Sequence, residues 1–152
     1  MLYLLLTRAL ELQPVLFNLT KTNGTLEVPL IPNKDLELLR SFNGRGHITL
    51  SAYLRMDSPQ LRDSAYDDFS QEMKARLNEC DPHPECREAL EEDAEIVGLY
   101  LKTNGHRRHP AIVIFSCAAE LFWRAYPLAE ALPTRVSVGP KFDVEPLLVA
   151  AG

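Results

Sequence analysis

Ala111-Ile112-Val113-Ile114-Phe115 contains no polar side chain. A run this short and this apolar reads as a strand buried on both faces, and the rest of the chain has to supply what covers it. Glu120 to Tyr126 alternates, with Leu121, Trp123 and Ala125 against Phe122, Arg124 and Tyr126, and predicts a neighbouring strand across a turn near Ala118-Ala119. Thr134-Arg135-Val136-Ser137-Val138 predicts another, stopped by Gly139-Pro140. Upstream, His47 to Arg55 is rich in β formers and follows the turn Gly44-Arg45-Gly46.

Between these strands lie two amphipathic helices. Ser58-Pro59 pairs a capping serine with a proline at the first helical position. Leu61, Ala65, Phe69, Met73 and Leu77 then recur at four-residue steps as one apolar stripe, opposite Asp63, Asp67, Glu72 and Lys74. Pro82 and Pro84 cannot both sit in a helix interior, so Cys80 to Cys86 breaks the helix. A second helix is predicted from about Glu85 to Lys102, with Ala89 or Leu90, Ala94, Val97 and Leu101 inward. The pair makes an antiparallel hairpin whose stripe lies on the strands.

Asp35 to Phe42 reads as a short helix with Leu36, Leu38 and Leu39 inward, capped by Asn33 or Asp35 and stopped by Asn43-Gly44. Val144 to Ala150 reads as a closing helix. Residues 1–34 form an N-terminal extension without a clear place: Leu2 to Leu12 could be a helix ended near Pro14, and Pro29 and Pro32 argue against a central strand. The expected fold is α/β of the α+β type. About four mostly antiparallel strands pack with a helical hairpin and a C-terminal helix, in one domain of 152 residues.

An apolar fraction of 46% and a charged fraction of 24% are those of a globular chain. No apolar run approaches the roughly 20 residues that cross a bilayer. Met1 to Leu6 is apolar but short, lacks a basic flank, and is followed by Arg8 and Glu11. It reads as packed structure rather than a signal peptide, and the expected location is cytoplasmic, with no membrane partner. The net charge of −5 is unevenly spread. Residues 57–95 hold 13 acidic and 4 basic residues, and the remainder holds 8 acidic and 12 basic. RNA, if bound, belongs on the side away from the acidic module.

Cys80, His83 and Cys86 carry zinc-ligand chemistry, but their spacing is not a common finger pattern and no fourth ligand is evident. Cys117, in an apolar stretch, reads as a small core residue. No nucleophile elbow or phosphate-binding glycine loop occurs; Asn43-Gly44-Arg45-Gly46 precedes a strand, not a helix. Catalytic residues, metal, cofactor and small-molecule substrate are therefore not expected. The basic segment Lys102-Thr103-Asn104-Gly105-His106-Arg107-Arg108-His109 has two readings. Lys102, His106, Arg107, Arg108 and His109 could meet phosphates, or the segment is a polar connector turning at Gly105.

The order strand, acidic helical hairpin, buried strand, two further strands and closing helix resembles the first domain of archaeal and eukaryotic class-one peptide-chain release factors. The resemblance covers His47 to Ala150. It rests on His109-Pro110-Ala111-Ile112-Val113-Ile114-Phe115-Ser116-Cys117 and on Val136 to Leu148, with its Lys141-Phe142 turn. It is closest to the bacterial branch of the family. The family's Gly-Gly-Gln motif lies in a second domain and does not occur here, so the resemblance implies a non-catalytic recognition domain whose catalytic-type partner domain lies outside this chain.

The family's hairpin tip carries Asn-Ile-Lys-Ser. The corresponding tip here includes Asp81, His83 and Glu85. The family's Tyr-x-Cys-x-x-x-Phe element falls on Val136, Val138 and Phe142, of which only Phe142 agrees. Stop-codon reading is therefore not expected. Ribosome or ribosomal-RNA binding in termination, rescue or quality control is, through the basic segment and Lys141. The competing expectation is a protein-interaction domain in which the acidic hairpin, residues 57–95, docks a basic protein partner without RNA.

Overall fold

The computed structural model describes residues 31–79, 84–103 and 109–151. The elements within them are α1 (Asn33–Ser41), β1 (Thr49–Arg55), α2 (Pro59–Glu79), α3 (Pro84–Thr103), β2 (Ala111–Cys117), β3 (Phe122–Leu128), β4 (Arg135–Gly139) and α4 (Glu145–Ala151). A single 3₁₀ turn, Ala118–Glu120, joins β2 to β3.

The strands form one sheet in the order β3-β2-β1-β4 with every pairing antiparallel. β2 is central and buried along its whole length, as its unbroken apolar run requires. Pro127, which has no N–H to donate, falls in β3, an edge strand.

Side chains alternate across this sheet and feed two cores. Leu50, Ala52 and Leu54 of β1, Ile112 and Ile114 of β2, Trp123 and Ala125 of β3, and Val136 of β4 face the α2–α3 hairpin. They meet Ala65, Phe69 and Met73 from α2, and Leu90, Ile96, Val97 and Leu101 from α3. On the other face, Tyr53, Val113, Phe115, Cys117, Tyr126 and Leu128 pack with Leu39 of α1, Leu147 of α4 and Phe142 of the β4–α4 turn. Phe142 is the hub of this second core, with ring centroids 4.8, 5.3 and 5.3 Å from Phe42, Phe115 and Phe122.

Local chemistry explains most boundaries. Ser58 Oγ accepts from the Leu61 N–H at 3.2 Å and caps α2. The turn before β1 closes through His47 N–H to Gly44 O at 2.9 Å, with Arg45 and Gly46 both at positive φ. A Cβ on Gly44 would lie 2.7 Å from the His47 carbonyl oxygen, so only glycine fits there. The β4–α4 turn is tied to the sheet through Asp143. Tyr53 Oη donates to Asp143 O (2.6 Å), Asp143 N–H donates to Ser51 Oγ (2.8 Å), Ser137 Oγ donates to Asp143 Oδ2 (3.0 Å), and Arg135 pairs with the Asp143 carboxylate at 2.9 Å. Burial raises the Tyr53 hydroxyl above its ordinary ionisation range, so it stays a donor.

Some expectations need correction. α1 starts at Asn33 after Pro32, and neither Asn33 nor Asp35 caps it through a side chain. Asp35 instead accepts from Tyr126 Oη at 2.8 Å, fastening α1 to β3. Leu36 and Leu39 pack inward, whereas Leu38 is exposed. The strand predicted from His47 begins at Thr49, because His47 closes the turn. β3 starts at Phe122 rather than Glu120, since residues 118–120 form the 3₁₀ turn and Leu121 leaves it in a left-handed conformation. The helix and strand alternatives for residues 2–12 and 26–30 lie outside the described residues.

Candidate functional site

α2 and α3 run antiparallel, so the hairpin has two chemically different ends. α3 spans 20 residues, or ~30 Å at the α-helical rise. In sequence, the acidic tip precedes its N-terminal end and the basic segment follows its C-terminal end. The predicted contacts Lys102 and His109 flank that segment at the end of α3 and the start of β2. His106, Arg107 and Arg108 lie outside the described residues. So do Asp81 and His83 of the tip, while Glu85 falls in the first turn of α3.

Lys141 does not join Lys102 and His109. β1 is paired to Ala111 at its Arg55 end and to Gly139 at its Thr49 end. Lys141, which follows Gly139 and is exposed, therefore lies at the opposite end of the sheet, the end toward which the hairpin tip points. Lys102 itself places its Nζ 4.5 Å from the centre of the Tyr66 ring, a cation–π contact between α3 and α2. Val136 and Phe142, two of the positions singled out by the sequence resemblance, are also separated. Val136 is buried on the hairpin face, whereas Phe142 is buried in the core on the other face. They hold the fold and present no recognition surface.

Sequence reasoning missed Asp93. It sits on the inward stripe of α3 between Leu90 and Val97, and its side chain is fully buried. The hairpin-facing row of β2 reads Ile112, Ile114, Ser116, so a hydroxyl ends an otherwise apolar row. Ser116 Oγ donates to Asp93 Oδ1 at 2.5 Å, and the Ala118 N–H donates to the same oxygen at 2.8 Å. Asp93 Oδ2 is buried without a protein partner. Burial pushes the carboxyl up to about 7, against the opposing pull of those two hydrogen bonds. The group pins α3 to the β2–β3 connection. Its signal in the sequence is an acid three residues after Leu90 and four before Val97, where the stripe calls for an apolar side chain.

Asp93 and Ser116 are both shut off from solvent, so the pair cannot meet a substrate. Cys117 is likewise buried, with its thiol pushed up to about 11 by burial. Among the described residues, no group of three or more His, Cys, Asp or Glu side chains is arranged to hold a metal ion. Cys80 and His83 of the weighed Cys80/His83/Cys86 cluster lie outside the described residues. No described helix is long and apolar enough to cross a membrane.

One concavity lies on the outer side of the hairpin. Tyr66, Phe69, Met73 and Leu77 of α2 and Ala94 of α3 form its floor, with Ser70, Lys74 and Glu95 at the rim. Its volume of about 240 Å³ falls below the roughly 300–1,000 Å³ of sites that enclose a small-molecule ligand. The two helices close together at one end of this groove, where a Cβ on Gly98 would come within 3.0 Å of the Tyr66 ring.

No protein-family model matches the chain, and no curated protein is similar to it in sequence.

Proposed function

We propose that this chain is a non-catalytic recognition domain of a release-factor-like protein, and that it binds the ribosome in termination, rescue or quality control. The observation that carries the reading is architectural. A helical hairpin inserted between β1 and β2 lies on one face of a four-stranded antiparallel sheet, and the Lys141-Phe142 turn and a short helix close the other face. This is the element order on which the sequence resemblance rests. Decoding of a stop codon is not part of the proposal, since Val136 and Phe142 are structural and Lys141 stands apart from Lys102 and His109.

The contact surface in this reading is the α3–β2 end of the domain, with Arg107 and Arg108 as its charges. Co-sedimentation of the chain with bacterial ribosomes tests it. Two phosphate contacts predict roughly a tenfold loss of affinity between about 50 and 200 mM salt. Arg107→Glu with Arg108→Glu should abolish pelleting at the higher salt. Absence of pelleting, or binding indifferent to salt and to both substitutions, refutes the proposal.

A further inference from the structure

We infer that the groove between α2 and α3 docks a basic amphipathic helix of a protein partner. This inference does not depend on ribosome binding, because it uses the outer side of the hairpin and not the α3–β2 end.

The argument starts from helical geometry. Phe69 points at the sheet, and positions 66, 70 and 77 are turned from it toward α3. Ala94 and Gly98 are the α3 positions turned toward α2. Gly98 lets the Tyr66 ring close one end, and the small side chain of Ala94 leaves an apolar trough beyond it that the helices do not fill themselves. The trough follows α2 from Tyr66 to Leu77, a length of ~16 Å, or about three helical turns. That suits the side-chain row of a third helix, with one or two apolar residues inserted between the pair.

Charge selects among helices. The positions next outward on α2 are Asp63, Asp67 and Lys74, and on α3 they are Glu88, Glu91, Glu95 and Lys102. All seven are exposed. Glu91 is already paired with Arg87 at 3.2 Å, and Lys102 lies over the Tyr66 ring at the groove's end, which leaves Asp63, Asp67, Glu88 and Glu95 against Lys74 along the rest of the two walls. A trough with an apolar floor and acidic walls complements an apolar row flanked by lysine or arginine. The same walls repel a nucleic-acid backbone, so the occupant is a protein segment. Tyr66 and Leu99, 37% and 38% exposed, extend the apolar surface along the groove's end and the outer face of α3.

The test uses the full chain and a short fluorescein-labelled helical peptide of leucine and lysine, read by fluorescence anisotropy near physiological salt. The Leu/Lys peptide should bind about tenfold or more tightly than an Ala/Lys peptide of equal charge, and a Leu/Glu peptide should not bind. Ser70→Trp fills the trough and should reduce Leu/Lys binding to the Ala/Lys level while leaving Ala/Lys binding unchanged. Asp67→Lys with Glu95→Lys, both at exposed positions, should weaken both peptides by about tenfold. A photo-reactive residue in place of one leucine should label residues between 66 and 77 or 94 and 95 in the unaltered chain, which decides the matter even if Ser70→Trp fails to fold. Equal binding of the Leu/Lys and Ala/Lys peptides, labelling elsewhere, or displacement of the peptide by a single-stranded oligoribonucleotide would overturn the inference.

Discussion

Asp93→Asn changes one atom type in the core and should remove a loss of stability that this domain suffers as the pH rises. In the unfolded chain the carboxyl ionises near its ordinary value of 3.8, and in the folded domain burial pushes this up to about 7. The folded state therefore holds a proton that the unfolded state has lost throughout that interval. Stability from this group is complete below pH 4, declines as the pH rises, and is gone above pH 7. At about 1.4 kcal/mol per pH unit, the decline between pH 5 and 8 is roughly 2.5 kcal/mol. Asparagine keeps an oxygen where Asp93 Oδ1 accepts from Ser116 and Ala118, and it does not ionise. Urea unfolding followed by Trp123 fluorescence suits the measurement, since the chain has one tryptophan and it packs 5.4 Å from the Tyr100 ring in the same core. The unaltered chain should lose unfolding midpoint from pH 5 to 8 relative to Asp93→Asn, by about 1–2 M urea. The variant should be the more stable of the two at pH 8. Parallel pH profiles, or a variant that loses ground as pH rises, would refute the reasoning that burial outweighs the two hydrogen bonds.

Two other substitutions probe the same packing by different routes. Phe142→Ala removes the ring that touches Phe42, Phe115 and Phe122, and should cost about 3–5 kcal/mol by urea unfolding, with the near-ultraviolet circular dichroism of the aromatic cluster lost in parallel. A cost below 1 kcal/mol would mean that the second core does not depend on that ring. Gly44→Ala and Gly98→Ala should move thermal unfolding in opposite directions. At Gly44 the new Cβ meets a backbone oxygen at 2.7 Å that cannot retreat, costing about 1–3 kcal/mol. At Gly98 it meets only the outer edge of the half-exposed Tyr66 ring, which can swing, so the gain in helix propensity of up to about 1 kcal/mol prevails.

The helices and strands were legible because their signals are local and repeat. The 65, 69, 73 stripe, the Ser58 cap and the unbroken Ala111–Phe115 run each specify a face or an end without reference to the rest of the chain. Two kinds of feature were not legible. Asp93 looks like one more acid in an acidic helix until Ser116 and the Ala118 N–H arrive from 23 and 25 residues away. Asp35 looks like a cap until Tyr126 reaches it from 91 residues away. In both cases a polar side chain has a local role available and takes a long-range one, because an unpaired donor in the core costs more than a missing cap. The grouping of Lys141 with Lys102 and His109 failed for a related reason. Closeness in charge type says nothing about which end of a strand a turn occupies, and the register of β1 with β2 and β4 decides that.

The length of α3 bears on the contrast between a net charge of −5 and the proposed binding of an anionic assembly. The two ends of α3, which in sequence adjoin the acidic tip and the basic segment, are ~30 Å apart, several times the ~8 Å over which exposed charges act at physiological ionic strength. Each end therefore presents its own local field, and the sum over the chain describes neither. The hairpin is long enough for this because two uninterrupted helices of 21 and 20 residues are supported along one face by a single core. A partner held at the α3–β2 end leaves the acidic groove open toward solvent, and a basic helix lying in the groove leaves Arg107 and Arg108 unneutralised. The two proposed contacts are thus compatible on one molecule. Both proposals depend on α3, which Asp93 fastens to the sheet through Ser116 and the Ala118 N–H.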